Sequence, residues 1–223
     1  MNAWTVTTQR FLTDAERAKV LALASRRAGR MGRKWGTRDH TTLLAARIMG
    51  EAGLRASEAC GLRLCDCGVA EPRDASLTVI RGKGGKPRSV MISAELAGVV
   101  ARYVAAYRGD MSPDASDMSP DAPLLVGKLG KLSRQALWAR MAKLATEALG
   151  ETRRRRLQPC HSYRHSCAVG LLRATRNLRL VQMHLGHSSP VVTSVYAQVV
   201  DEERRAGVEQ AFGAHVAERT AAG

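Results

Sequence analysis

The sequence predicts an α+β domain, mainly α-helical, with a small antiparallel β-hairpin or sheet. Three observations carry that prediction. Apolar residues recur at helical spacing, most clearly Leu137, Met141, Leu144 and Ala148 between a capping Ser133 and a terminating Gly150. One stretch, SLTVIRGKGGKPRSVMI, sets two β-rich runs around a glycine-rich turn. Across 223 residues, a hydrophobic content of 45% is enough for a proper core, in one large domain or two small ones.

Taken in order, Thr13 and Glu16 form a capping box that opens a helix over 13–25, with Leu21 on its buried side. Residues 26–41 read as a basic loop in which Arg30, Arg33, Lys34 and Arg38 are candidate phosphate contacts, although a solvated linker fits the same residues. From Thr42 a helix with Leu44 and Ile48 on one face runs to Gly53. The segment GLRASEACGL, 53–62, then places Arg55 at a helix amino end, where free N–H groups and a guanidinium suit an anion. Glu58, one turn on, is positioned to hold Arg55, but an Arg and a Glu three apart are also an ordinary helix pair.

The hairpin spans 76–92 with Lys83 at its tip and Lys86 and Arg88 beyond it, and its glycines lack the G-x-x-x-x-G-K-[ST] spacing of a nucleotide loop. MSPDA occurs twice within 109–123, which reads as a flexible insertion. After the Ser133 helix, the run Arg153, Arg154, Arg155 and Arg156 points at phosphate and leads into residues 160–199. A last helix over 201–220 turns Val208, Phe212 and Val216 toward something apolar.

Lys and Arg number 35 against 20 Asp and Glu, a formal net charge of +15, so the partner is a polyanion and nucleic acid is the simplest one. Aromatic content of only 4% favours contacts to a duplex backbone over base-stacking platforms. Five cysteines, at 60, 65, 67, 160 and 167, follow no disulfide framework and read as reduced thiols. The amino end, MNAWTVTTQRFL, has neither a charged segment followed by an apolar run nor a membrane span, so the expected location is the cytoplasm, on the nucleoid.

Within CHSYRHSCAVGLLRATRNLRLVQMHLGHSSPVVTSVYAQV, His161 and Arg164 are three apart and share a helix face, His187 follows a helix-ending glycine, and Tyr196 comes nine residues later. A phenol with a reference pKa near 10 is a nucleophile only where cations stabilise the phenolate. Taken alone, Tyr196 among Val192, Val195 and Val199 fits core or partner surface better than a nucleophile. His161 with His165 and His184 with His187 also have the spacing of metal pairs, yet no C-x-x-C accompanies them and H-x-x-x-H lacks its Glu.

The same stretch resembles the tyrosine recombinase (phage integrase) family, whose pattern is H-x-L-R-H, then L-G-H-S, then Tyr. Upstream, GLRASEACGL resembles that family's first Arg box and GKGGKPR its Lys hairpin; Tyr163 stands where the family usually has Leu. The resemblance implies the tyrosine recombinase catalytic-domain fold over roughly 11–200, and a chain lacking the helical amino-terminal domain with which most members clamp DNA. It also implies a site of Arg55, Lys83, His161, Arg164 and His187 around the nucleophile Tyr196, with Glu58 behind them. The implied activity is cleavage and rejoining of double-stranded DNA through a 3′-phosphotyrosyl link, with no cofactor and no metal. Implied partners are duplex DNA, further copies of the chain in a tetramer, and an accessory DNA-bending or site-selecting protein. A type IB topoisomerase shares this chemistry, but LGHSS ahead of Tyr196 fits a recombinase better; a non-catalytic DNA-binding regulator is a third reading.

Overall fold

The computed structural model describes residues 10–29, 37–80, 87–106, 118–127 and 130–187, with 196, 197, 200, 201, 204, 205 and 208 beyond them. Among these the chain runs α1 (Asp14–Gly29), α2 (Thr37–Glu51), α3 (Ala56–Gly61), β1 (Cys67–Gly68), β2 (Ser76–Val79), β3 (Arg88–Met91) and α4 (Ala94–Ala106). It continues through β4 (Val126–Gly127), β5 (Gly130–Lys131), α5 (Arg134–Leu149), α6 (Glu151–Arg156), α7 (His161–Thr175) and α8 (Leu178–Leu185). The mainly helical α+β expectation holds.

Helix α2 is the axis of the fold. His40, Thr41, Thr42, Leu44, Ala45, Ala46, Ile48 and Met49 bury it nearly all round, as expected of a helix packed by neighbours on every side. It packs against α1, α4, α5 and α7. Gly50 faces α7, where a Cβ would stand at an ordinary contact distance of 3.6 Å from the Tyr163 ring. The polar Thr41 is accommodated by a 2.9 Å hydrogen bond to the Tyr103 hydroxyl.

The capping box of α1 is present in both directions, with Thr13 N–H to Glu16 at 2.9 Å and Glu16 N–H to the Thr13 hydroxyl at 3.2 Å. At its other end α1 continues through Arg26 and Arg27 to Gly29, and α2 already begins at Thr37. The expected basic loop 26–41 is corrected at both ends, where 26–29 and 37–41 are helical; residues 30–36, with Arg30, Arg33 and Lys34, lie outside the described residues. Arginines in a last helical turn are favoured by the helix dipole, so their density marks a helix end rather than a loop.

β1, β2 and β3 form an antiparallel sheet in which Leu77 pairs with Val90 and Val79 with Arg88. Leu77, Val79 and Val90 face the core. The expected hairpin is thus present, with a third short strand beside it. Its tip, residues 81–86 with Lys83 and Lys86, lies outside the described residues.

The expectation of a flexible insertion over 109–123 is corrected for its second half. The backbone of 118–123 is bound to the segment after α3: Leu64 N–H donates to Ala122 O at 3.0 Å and Cys65 N–H to Pro120 O at 2.8 Å. Arg63 adds an ion pair with Asp121. Pro, Ser and Asp here signal a turn held by its neighbours.

Ser133 caps α5 by accepting from Ala136 N–H at 3.1 Å, and Gly150 ends it at φ 82°. Two apolar clusters result. The larger surrounds α2; the smaller gathers Phe11, Cys167, Ala168, Val169, Leu172, Val181, Leu185 and Tyr196. Helix α7 is shared between them, since Tyr163 belongs to the first and Cys167 to the second. Beyond α8, the described residues from 196 to 208 are helical; Val208 is 52% exposed, and Phe212 and Val216 lie outside the described residues. No helix among the described residues is long and apolar enough to cross a membrane.

Candidate active site

A single carboxylate organises the site. Gly53, at φ +66°, ends the approach from α2, and Arg55, in extended backbone, becomes the residue ahead of α3. Its N–H donates to Glu58 Oε2 at 2.8 Å and its Nη1 to Oε1 at 2.8 Å, so the local pairing expected from the sequence is present. The same carboxylate receives Arg88 from β3 in a two-pronged contact, both bonds at 2.9 Å. Arg164 from α7 stands 3.7 Å away. Burial, the largest single influence, would raise the Glu58 carboxyl; the Arg88 bonds, the Arg55 amide and the charges of Arg88 and Arg164 outweigh it and bring it down to about 2.

Arg164 is 4% exposed and anchored by backbone carbonyls, donating from Nη1 to Gly53 O and from Nη2 to Leu185 O, the latter at 2.7 Å. Desolvation first, then repulsion from Arg55, lowers it to about 10, so it remains a cation at neutral pH. Three guanidinium groups around one carboxylate leave a surplus of positive charge, which suits an anionic ligand.

Tyr196 packs into the smaller cluster at 2% exposure, and its hydroxyl lies 2.8 Å from His165 Nδ1. Burial pushes the phenol up to about 12, against the pull of Arg164. His165 is lowered to about 4 by burial first and then by His161 and Arg164, so its imidazole is neutral at pH 7 and the tautomer sets which partner donates in its bond to Tyr196. His187 follows Gly186, the left-handed cap of α8, and its ring stacks on Tyr196 with centroids 6.4 Å apart. Desolvation, then Arg164 and Arg55, lowers it to about 3. His161 opens α7 on the exposed side, its imidazole lowered by desolvation and by the charges of Arg164 and Arg55.

The structure therefore brings together Arg55, Glu58, Arg164, His187 and Tyr196, with His161 at the edge; Lys83 lies outside the described residues. Of the expected DNA contacts, Arg38 is exposed on α2, and Arg154 lies over the half-exposed Trp138 ring at 5.2 Å. Arg155 pairs with Glu151 at 3.2 Å, and Arg156 is exposed. Arg153 is engaged elsewhere, holding both oxygens of Glu16, at 2.6 and 3.0 Å, and the Phe11 carbonyl, so that it ties α6 to the start of α1. Arg88 likewise faces inward. The expected site set omits His165, although it is the last position of H-x-L-R-H and H-x-x-x-H puts it on the His161 face of α7. Among the described residues no group of three or more His, Cys, Asp or Glu side chains converges as a metal cluster.

A model of the phage integrase family matches residues 11–203. The chain belongs to the phage integrase family. Among its integrase-family relatives, it is 34% identical over 157 residues to tyrosine recombinase XerD of Bifidobacterium longum, covering 70% of this chain and 48% of that protein. Against tyrosine recombinase XerC of Methylobacterium sp. identity is 36% over 185 residues, 82% of this chain and 53% of the relative. The chain thus spans about half the length of the curated relatives it matches. Integrase-type folds recur in solved structures: a XerH recombinase bound to palindromic difH substrate superposes with TM-score 0.71 at 24% identity, covering 92% of this chain and 53% of that one. The XerA recombinase gives TM-score 0.69 at 21% identity, covering 95% and 65%.

Proposed function

We propose that this chain is a site-specific DNA recombinase that cleaves and rejoins strands through Tyr196. The observation that carries this reading is the placement of the Tyr196 hydroxyl 2.8 Å from the neutral His165, where the charges of Arg164 and Arg55 act on the phenol. The XerH relative crystallised with its difH substrate supports duplex DNA as the partner, as does the charge of +15.

In this mechanism the Tyr196 oxygen attacks a backbone phosphorus in line, the bond to the 5′ oxygen breaks, and a 3′-phosphotyrosyl link and a free 5′-hydroxyl result. The phenol proton passes to His165, whose Nδ1 stands 2.8 Å from the hydroxyl. Arg55 and Arg164 clamp the non-bridging oxygens, and His187 and His161 complete the donor set around the phosphate. Lys83 delivers the proton to the departing 5′ oxygen. Attack of a second strand's 5′-hydroxyl on the phosphotyrosyl link reverses the chemistry, conserving bond energy without cofactor or metal. Assembly into a tetramer on DNA, an accessory site-selecting protein, and residence on the nucleoid belong to the same proposal.

The test is a denaturing-gel trap of covalent protein–DNA adduct on supercoiled DNA carrying the gene's flanking sequence. Adduct with wild type, none with Tyr196→Phe, and near-equal DNA binding by both is the expected result. Equal adduct from both proteins excludes Tyr196 as the nucleophile.

A further inference from the structure

We propose that Arg88 is a positioning residue for the strand-transfer chemistry, holding Glu58 as the fixed carboxylate against which Arg55 and Arg164 are set; this rests on the recombinase reading above. Three observations carry it.

First, both terminal nitrogens of Arg88 are engaged by Glu58, each at 2.9 Å, and its side chain is only 16% exposed. Little of the guanidinium is left for a DNA backbone. Second, Glu58 has a side chain only 2% exposed, and its oxygens also receive the Arg55 amide and Nη1. A carboxylate so buried stays ionised only while cations and N–H donors surround it. Third, Arg88 is seated on the α8 cap. A Cβ on Gly186 would fall 2.6 Å from Arg88 Nε, 2.7 Å from Cδ and 2.9 Å from Cζ, and Gly186 has φ +65° besides. Glycine is thus demanded twice at the residue before His187. One side chain therefore touches the Arg box through Glu58, the base of the hairpin that carries Lys83, and the turn that carries His187.

The charged and titratable groups facing this point come from every element around it: Arg55 ahead of α3, Arg164 on α7, and the imidazoles of His184 and His187 at the end of α8, both of which feel the Arg88 charge. Arg55 and Arg164 remain when Arg88 is removed, but neither contributes a two-pronged contact from the hairpin side. Without it, burial acts on Glu58 with less opposition and its protonation moves toward neutral pH.

The experiment uses the full chain as wild type, Arg88→Met, Arg88→Lys and Glu58→Gln, with ¹³C in the glutamate side-chain carboxyl groups. Glu58→Gln identifies the Glu58 resonance. In wild type that resonance is unchanged from pH 8 to 4; in Arg88→Met it titrates with a midpoint roughly between pH 5 and 7, and in Arg88→Lys at a lower value. Adduct formation on the supercoiled flanking DNA gives the second readout. Wild type shows no acid limb from Glu58, Arg88→Met gains one at the carboxyl midpoint with at least a tenfold loss at its low end, and Arg88→Lys recovers part of the loss. Should Arg88→Met fail to fold, the Arg88→Lys midpoint decides. A Glu58 that stays ionised down to pH 4 in every folded Arg88 variant overturns the proposal. Absence of adduct from wild type would instead count against the recombinase reading and leave the carboxyl titration to decide the role of Arg88.

Discussion

Gly53 offers the sharpest test of how the site is built. Its φ of +66° lies in the left-handed region, and a Cβ there would stand 2.6 Å from Leu185 Cδ2 and 3.0 Å from Cys167 Sγ. Gly53→Ala therefore meets two penalties at once. The backbone conformation costs an alanine about 1–2 kcal/mol, and forcing a methyl into a packed cluster costs about 1–3 kcal/mol more. Leu185 is fully buried and cannot swing into solvent. The sum, about 2–5 kcal/mol, is a large share of the 5–15 kcal/mol that roughly bounds the stability of a domain. Urea unfolding measures it as a fall in midpoint at unchanged slope. Leu185→Ala supplies the control: alone it costs about 2–5 kcal/mol through the cavity it opens, but that cavity accepts the methyl introduced by Gly53→Ala. The double variant should then be less destabilised than the sum of the singles by about 1–3 kcal/mol. Strict additivity, or a single-variant loss within about 0.5 kcal/mol, would refute the packing argument.

Three further outcomes are expected. Tyr163 is 2% exposed and its hydroxyl has no hydrogen-bond partner among the described residues, so Tyr163→Phe should stabilise the protein by about 1 kcal/mol; a lower urea midpoint would show that the hydroxyl is satisfied. His165 and His187 are held down to about 4 and about 3, below the ordinary 6.5, so the unfolded chain binds more protons between those values and stability should rise with pH from about 4 to 6.5 and level off above. His165→Gln should remove about 1.4 kcal/mol per pH unit from that rise, and an unchanged slope in chemical denaturation would count against the burial of a neutral imidazole. Duplex DNA affinity should fall steeply with salt on a log–log plot, because several phosphates are neutralised at once; a flat response in a binding titration would remove the basic surface from the account.

What the sequence disclosed was chiefly local. The Thr13–Glu16 box, the Ser133 cap, the Gly150 stop, the hairpin pairing and the Arg55–Glu58 contact are all set by residues within a few positions of each other, or by strands that follow one another in the chain. The functional pattern was legible as well, since four motifs in order implied the family that the comparison then showed. Hidden were the partners fixed by tertiary path. His165 reaches Tyr196 across 31 positions, and Arg153 reaches Glu16 across 137. Neither is visible in any spacing. Charge density misled twice, for Arg26 and Arg27 extend a helix and Arg153 serves an internal ion pair. Composition misled once more at 118–123, where turn-forming residues are fastened by the backbone of 62–65.

The Glu58 contact also bears on how such a chain can be recombined with its own relatives. Three stretches far apart in sequence, the Arg box, the base of the hairpin and the histidine-bearing helix, gather their arginines around one carboxylate, and the glycine at 186 is shaped to the Arg88 guanidinium. A hybrid protein assembled by exchanging the hairpin alone would inherit a foreign residue opposite Glu58. Its crossover points are therefore safest where donor and recipient already agree at 58, 88 and 186 together, and the unit of inheritance is that constellation rather than any one motif.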